Sequence, residues 1–303
     1  TGRNFSGWRL FVSPSIPGPR IVWALLAVCM GGFSLQADPG PLRACIRPGD
    51  SLYIQDIRSG EVLNLDDRKP VPAASLVKLF VMVEAFKAFG DGRLDKNGSV
   101  TVSPQDIVGG AGVIRLGGAG CRYTWYRLVQ LMIQESDNIA ANLLIQKIGM
   151  LAINETARDM GFHQTRVVRM MMDTVAMEQG LENMTSARDV GRLLKSIAEG
   201  QCLDEAVSRE MMKFLSGQKR PGKLGSLLPA SASIAHKTGE LVLPGAVRVE
   251  GDAGIISGPG GRIVMVVISV GDCASVAHLA AMGKLAWEHF GLADRGVSHG
   301  SQL

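Results

Sequence analysis

The sequence predicts a mixed α/β (α+β) fold, in which an antiparallel five-stranded sheet is flanked by helices and carries an inserted all-helical lobe. Segments typical of β-strands occur near both ends of the chain, and helical segments occupy the middle. This order implies that the two termini build one sheet, with the functional site at the seam between the sheet and the helical lobe. The predicted strands are 51–57, 62–65, 233–239, 252–257 and 262–270.

The apolar patterns place the boundary between the two lobes. Residues 38–303 are predicted to form one domain, with a sheet lobe at about 38–70 and 205–303 and a helical lobe at about 71–204. The segment from Ser75 to about Phe89 leaves almost no polar face, which favours a helix buried on all sides. The other predicted helices are 128–132, 139–148, 186–198 and 274–290.

The composition limits the class of protein. With 303 residues, of which 46% are hydrophobic and 20% charged, the chain is long enough for a large core and is not disordered. The net charge of +4 is small and the basic residues are scattered, so nucleic acid is not an expected partner. The histidines and cysteines show no ligand spacing such as H-E-x-x-H or C-x-x-C, so neither a metal nor another cofactor is expected.

The first 37 residues have the pattern of a signal peptide. Arg9 and Arg20 precede an uncharged run, 21–37, that ends on Leu-Gln-Ala. Cleavage after Ala37 predicts a bacterial protein that is secreted, periplasmic or in the cell envelope, without a stable membrane span. The alternatives are a retained anchor, for which the run is short, and a lipoprotein anchored at Cys29.

Two polar residues open the buried helix. Ser75 and Lys78 form an S-x-x-K pattern, so their side chains lie on one helical face, within hydrogen-bonding reach. A serine nucleophile needs a base, and a lysine desolvated by an apolar helix has a lowered pKa that suits this task. Taken alone, the pattern favours a structural role, because an S-x-x-K string is expected by chance in a chain of this length. A second copy at Ser216–Lys219 runs into a turn and is set aside.

Two further strings support a catalytic role for the S-x-x-K pattern. Residues 136–138 (Ser-Asp-Asn) fall at a predicted helix junction, and residues 237–239 (Lys-Thr-Gly) end a predicted strand. Each string alone has a structural interpretation, as a helix cap or as a strand end and turn. Together, in this order, S-x-x-K, S-D-N and K-T-G are the signature of class A β-lactamases and penicillin-binding proteins.

The chain therefore resembles a class A β-lactamase-related serine hydrolase of the serine β-lactamase and penicillin-binding protein superfamily. The resemblance covers about residues 51–290 and implies the β-lactamase/transpeptidase-like fold. It also implies that Ser75 attacks an acyl carbonyl and that Lys78 accepts or relays its proton. Ser136 would pass a proton to the leaving nitrogen, and Asn138 would hold Lys78.

The resemblance assigns substrate binding to Lys237, Thr238, Gly239, Glu240 and Arg248. The lysine and the threonine would bind a carboxylate, and the glycine would let an extended substrate lie close to the strand. The backbone N–H groups of Glu240 and of the nucleophilic serine would form the oxyanion hole. Arg248 is either a second cation for the carboxylate or a surface arginine.

One stretch departs from the family pattern. Class A β-lactamases carry an E-x-x-L-N string whose glutamate activates the water that releases the acyl-enzyme, and residues 166–189 contain none. Met170–Met172 stand about where the glutamate should be. Asp173 is our candidate for the deacylation base by position. Glu182 with Asn183 is either a tie within the loop or part of the next helix cap.

Two functions fit these residues. The first is hydrolysis of the β-lactam amide through a Ser75 acyl-enzyme, with slow deacylation. The alternative is a penicillin-binding D,D-peptidase or related cell-wall acyl or ester hydrolase that β-lactams inhibit. A catalytically silent sensor is disfavoured, because every residue needed for acylation is present. The expected partner is a small-molecule β-lactam or a peptidoglycan stem peptide, and we expect a monomer.

Cleavage of the signal would leave an even number of cysteines, which allow three pairings: Cys45, Cys121, Cys202 and Cys273. In the family that this chain resembles, the first and last strands are adjacent. The resemblance therefore implies that Cys45, just before the first strand, and Cys273, just after the last, meet as a disulfide. No such argument applies to the other two.

Overall fold

The computed structural model describes residues 40–220, 222–272 and 274–293. These residues belong to one compact unit, Ala37–Leu303, and the chain's other unit, Thr1–Gln36, lies outside the described residues. The predicted signal peptide, including Cys29, also lies outside them, as does Cys273. Within the described ranges, no helix has both the length and the apolar character needed to cross a membrane.

The described secondary structure follows the predicted order, with strands at both ends and helices between. The strands are β1 Asp50–Asp56, β2 Val62–Leu65, β3 Val71–Pro72, β4 Ser99–Thr101, β5 Arg122–Thr124, β6 Met184–Thr185, β7 Ser233–Leu243, β8 Val247–Gly258 and β9 Gly261–Val270. The α-helices are α1 Gly40–Cys45, α2 Lys78–Gly90, α3 Ile114–Gly117, α4 Trp125–Gln134, α5 Asn138–Ile148, α6 Met150–Asp159, α7 Thr174–Glu178, α8 Ala187–Ala198, α9 Glu205–Ser216 and α10 Val276–His289. Short 3-10 helices are Ala74–Val77, Pro104–Asp106 and Pro244–Ala246.

The two ends of the chain build one five-stranded antiparallel sheet, as predicted. Its strand order is β2-β1-β9-β8-β7, and β1 pairs with β9 from Asp50↔Ser269 to Asp56↔Ile263. Strand β7 lies at an edge of the sheet, so one side of its backbone faces away from β8. The β7–β8 hairpin extends further than predicted, because Leu243 pairs with Val247 at its tip.

Both faces of the sheet are covered, which explains the continuous apolar run in β9. Ile263, Met265 and Val267 belong to a core shared with α10 and α1. Val264, Val266 and Ile268 alternate with them and belong to the larger core, which continues through the helical lobe. A strand buried on both faces needs no polar side, so its sequence does not alternate.

Helix α2 runs through the centre of the helical lobe. Every side chain from Lys78 to Phe86 is buried, and the helix packs against α4, α5 and α6. The predicted helix from Ser75 to about Phe89 is confirmed, with a difference at its start. Residues Ala74–Val77 form a 3-10 turn, and the α-helix begins at Lys78. The serine therefore lies on the turn that leads into the buried helix.

Candidate active site

Ser75 lies at the wall of a cavity of about 480 Å³ between the helical lobe and β7. The preceding residue, Ala74, has a φ of 45°, a left-handed conformation that costs a non-glycine residue about 1 kcal/mol or more. Strand β7 approaches closely, since a Cβ atom on Gly239 would lie 3.3 Å from the Ser75 backbone nitrogen. The tight turn and the missing side chain together place the serine against the edge strand.

Lys78 is fully buried beneath the cavity. Its Nζ donates to the Ser136 carbonyl oxygen at 2.6 Å and to Asn138 Oδ1 at 2.8 Å, with Ser136 Oγ at 3.4 Å. Burial lowers the pKa of Lys78 well below its usual value, and the positive charge of Lys237 lowers it further. Among the described residues none of these hydrogen bonds goes to Ser75, although the spacing predicts that the two lie within reach.

Ser136 links the two buried lysines. Its φ of 54° is left-handed, and its Oγ accepts a hydrogen bond from Lys237 Nζ at 2.9 Å. The pKa of Lys237 is lowered to about 7, chiefly by burial; Asp252 opposes this shift, and the charges of Lys223 and Arg220 add to it. Because both lysines are donors, the Ser136 hydroxyl hydrogen is free to point toward the cavity, which its residue lines.

The residue between Ser136 and Asn138 provides the helix cap. Asp137 accepts from the backbone N–H of Ala140 at 3.0 Å, which caps α5, and from Val113 and Ile114 at 2.7 and 2.9 Å. Capping is thus a real role of this string, but it falls to the aspartate. Ser136 and Asn138 remain available for Lys78.

The loop at 166–189 forms the opposite wall of the cavity. Arg169 makes a buried ion pair with Glu182 at 2.8 Å, and Asn183 Oδ1 accepts from the Arg169 backbone at 3.1 Å. The interpretation of Glu182 and Asn183 as a loop tie is therefore confirmed. Asn142 binds Met171 through both backbone groups, at 2.7 and 3.0 Å.

This wall presents methionines where the resemblance calls for a glutamate. Met171, Met172 and Asp173 line the cavity, with Met177 beside them. The Asp173 carboxylate accepts from the backbone N–H of Ala176 at 3.0 Å and so caps α7. Asp173 lies in the right wall, but one of its oxygens is committed to the cap.

The rim of the cavity includes three of the residues to which the resemblance assigns substrate binding, and one further arginine. Thr238, Glu240 and Arg248 line the cavity, and Arg248 is exposed. Arg220 also lines it, with a guanidinium nitrogen 3.7 Å from a Glu240 carboxylate oxygen. The sequence predicts only a turn at Arg220, so two arginines, not one, are available at this rim.

The sequence as a whole matches a known family over most of its length. The family described as the beta-lactamase enzyme family matches residues 47–290. The chain belongs to the beta-lactamase enzyme family. The match spans both lobes and all the motif residues around the cavity.

Relatives in this family support the assignment. The extended-spectrum beta-lactamase PER-1 of Pseudomonas aeruginosa is 28% identical, over 71% of this chain and 72% of its own. A solved beta-lactamase of Sphaerobacter thermophilus shares the fold, with a TM-score of 0.76 at 24% identity, over 85% of this chain and 99% of its own. A mutant of PBP-A, solved as an acyl-enzyme complex with penicillin G, is 27% identical with a TM-score of 0.72, over 81% and 92% of the two chains.

In this β-lactamase-family chain the cavity holds the groups that acyl transfer requires. Ser75 is at the wall, and the hydrogen-bonded set of Lys78, Ser136, Asn138 and Lys237 lies beside and below it. A hydroxyl, two buried amines of lowered pKa and an edge strand suit a serine nucleophile. Among the described residues, no group of three or more His, Cys, Asp or Glu side chains is arranged to hold a metal ion.

The cysteine prediction is left open. Cys45 is a free, partly buried thiol whose pKa is raised by burial, and Cys273 lies outside the described residues. Their disulfide therefore stays a prediction. Cys121 donates to the Gly117 carbonyl at 3.4 Å, and burial raises the pKa of Cys202 to about 11.

Proposed function

We propose that this chain is a class A-type serine β-lactamase that opens the β-lactam amide through an acyl-enzyme on Ser75, with slow deacylation. The observation that carries the proposal is the buried hydrogen-bond chain from Lys78 through Ser136 to Lys237, which lies beside Ser75 at one cavity. A structural role would not require two buried lysines to converge on one serine hydroxyl.

The acylation step follows from this arrangement. Burial lowers the pKa of Lys78, which favours its neutral amine, and this amine takes the Ser75 proton as the serine oxygen bonds to the lactam carbonyl carbon. The N–H groups of Ser75 and Glu240 stabilise the oxyanion. Ser136 then gives its proton to the ring nitrogen as the carbon–nitrogen bond breaks, and a lysine replaces that proton.

The substrate carboxylate is bound on the β7 side. Lys237 and Thr238 supply a cation and a hydroxyl donor, and Gly239 allows close approach to the edge strand. Arg220 and Arg248 both reach the same cavity, and either adds a second cation. We assign the first choice to Arg220, because its partner Glu240 also lines the cavity.

Deacylation is the step that the loop wall makes slow. A thioether at Met171 cannot remove a proton from water, so Asp173 is the candidate base in this wall. We expect Asp173→Asn to leave the acylation rate unchanged and to slow release of the acyl group, measured by intact mass over time. An unchanged rate of acyl-group release in this variant would show that Asp173 is not the base.

A second function is favoured by the same wall. A penicillin-binding D,D-peptidase or related cell-wall hydrolase would be acylated by β-lactams and release them slowly. The methionine wall and the 27% identity to a PBP-A variant solved with bound penicillin G support this alternative. In either case we propose a secreted or envelope protein, on the strength of the signal-peptide pattern.

The deciding experiment follows the intact mass of the protein with benzylpenicillin, beside Ser75→Ala. We expect an adduct of one penicillin on the wild type and none on the variant. Decay of the adduct with repeated turnover supports the β-lactamase, and an adduct that persists supports the penicillin-binding alternative. A folded wild type that forms no adduct with any β-lactam or ester would contradict both, and would point to a silent pocket.

A further inference from the structure

Lys223 is a buried cation that has no direct step in the proposed mechanism, although its charge helps to lower the pKa of Lys237. It lies between α9 and β7, with 6% of its side chain exposed. Its backbone N–H and that of Leu224 donate to Asp252 Oδ2, at 3.1 and 2.9 Å. Asp252 is fully buried in β8, so it fixes the point from which the lysine side chain extends.

The ammonium group of Lys223 reaches the strand that borders the cavity. Its Nζ donates to the Gly239 carbonyl oxygen at 2.6 Å and forms an ion pair with the Glu250 carboxylate. Glu250 lies in β8 directly opposite Glu240. Both contacts are charge-assisted, and such hydrogen bonds are shorter and stronger than neutral ones. Lys223 therefore joins β7 to β8 at the level of the Gly239–Glu240 peptide.

The contact with Gly239 bears on the next residue's N–H. The Gly239 carbonyl and the Glu240 N–H belong to one planar, trans peptide unit, in which they point in opposite directions. Holding the oxygen thus fixes the direction of the N–H. A cation on the oxygen also polarises the unit, which strengthens the N–H as a donor.

We propose that Lys223 is a positioning residue that aims and polarises the Glu240 N–H as an oxyanion donor. This inference rests on the proposed acyl-enzyme function. The competing interpretation is that Lys223 only neutralises Glu250, whose side chain is 13% exposed. The two interpretations can be separated by a variant that lacks the lysine and has a neutral residue at position 250. Such a variant needs no counter-charge at position 250, but it still lacks a cation at the Gly239 oxygen.

The test uses Lys223→Met alone and combined with Glu250→Gln. The double variant leaves no unpaired buried charge, so it keeps the test valid where the single variant fails to fold. Lys219→Met is the matched control, since Lys219 is a 65% exposed lysine in the same segment. The acylation rate constant is measured by stopped flow with a chromogenic cephalosporin. The stretching frequency of the acyl-enzyme carbonyl is measured by infrared spectroscopy with carbonyl-¹³C benzylpenicillin.

We expect the double variant to acylate about ten-fold to a hundred-fold more slowly, since loss of a whole oxyanion donor costs about a hundred-fold or more. Its acyl carbonyl should stretch at higher frequency than that of the wild type, because a weaker hydrogen bond polarises the carbonyl less. The Lys219→Met control should match the wild type in both measurements.

A double variant with the wild-type rate and frequency would overturn the positioning role and leave Lys223 as the counter-ion of Glu250. A wild type that forms no acyl-enzyme would instead overturn the proposed function, and this inference with it. The wild-type adduct therefore separates the two failures.

Discussion

Lys237 gives the site a pH dependence that can be predicted at the scale of one residue. Its pKa is lowered to about 7, chiefly by burial. Below that pH the ammonium is charged and attracts the substrate carboxylate, and above it the amine is neutral and the attraction is lost. We therefore expect kcat/KM for acylation by benzylpenicillin to fall as the pH rises through about 7, since kcat/KM reports the free enzyme.

The matched control is a substrate that lacks the negative charge of the carboxylate. Acylation by the methyl ester of benzylpenicillin should lack this falling limb, because no carboxylate depends on Lys237. Acylation at higher pH should otherwise gain from a neutral Lys78, whose pKa is also lowered. The same falling limb with acid and ester would show that another group controls it.

Met171 is the residue at which the deacylation chemistry can be changed. It is 8% exposed and lines the cavity, and Asn142 fixes its backbone. We expect Met171→Glu to speed release of the acyl group by about 10² or more, because general bases contribute about 10²–10⁴. Intact mass over time measures this, with Met172→Glu at the neighbouring exposed position as the control. Equal acceleration in both variants would contradict a specific site at Met171.

The site residues that the sequence could predict are those held in local strings. S-x-x-K, S-D-N and K-T-G each combine a chemical group with a recognisable local context. Arg220 could not be predicted in this way, because only tertiary packing brings its turn to the cavity. The cap at Asp137 could not be predicted either, since the sequence offers three capping residues in a row and only the structure shows which one binds Val113 and Ala140.

At the scale of elements, the loop wall depends on one buried ion pair. The Arg169 side chain is 5% exposed and Glu182 13%, at 2.8 Å. Removing one partner leaves a buried charge unpaired, which costs about 3–5 kcal/mol. We expect Arg169→Met to lower the free energy of unfolding by about 3 kcal/mol and to speed proteolysis within 170–182, measured by urea unfolding and limited digestion.

Two comparisons make this prediction specific. Arg166→Met, at an exposed position of the same loop, should stay within about 0.5 kcal/mol of the wild type. Combining Arg169→Met with Glu182→Met should recover part of the loss, because no charge is then left unpaired. A double variant as unstable as the single one would assign the effect to lost packing of the arginine stem.

Element prediction succeeded where the apolar pattern was strong and failed where helices are largely solvated. Strand β9 and helix α2 carry long apolar runs, and the sequence predicts their positions within a few residues. Helices α6 and α9 bury only one side, with three and four buried residues respectively. The position of such a helix is determined by the surface on which it packs, so a local apolar pattern does not predict it. The tip of the β7–β8 hairpin is exposed, so no apolar run marked its length.

At the scale of the whole molecule, the junction between β1 and β9 is held by a buried polar contact as well as by strand pairing. Asp50, at the start of β1, is 2% exposed. It accepts from Ser269 Oγ in β9 and contacts His278 Nε2 of α10 at 2.8 Å. One carboxylate at the start of β1 thus binds strand β9 and helix α10.

Asp50 should therefore control global stability without taking part in catalysis. Asp50→Ala leaves the buried Ser269 and His278 groups without this partner, so we expect a loss of about 3 kcal/mol in the free energy of unfolding by urea. Asp159→Ala, at an exposed acidic position in α6, is the control and should change it by less than about 0.5 kcal/mol.

The acylation rate distinguishes a global effect from a local one. Ser75, Lys78 and Lys237 make none of their described hydrogen bonds to Asp50 or its partners, so the fraction of Asp50→Ala that remains folded should acylate at the wild-type rate. Unchanged stability would mean that strand pairing between β1 and β9 alone closes the sheet. Slowed acylation in folded protein would mean that the junction of the chain ends also shapes the cavity.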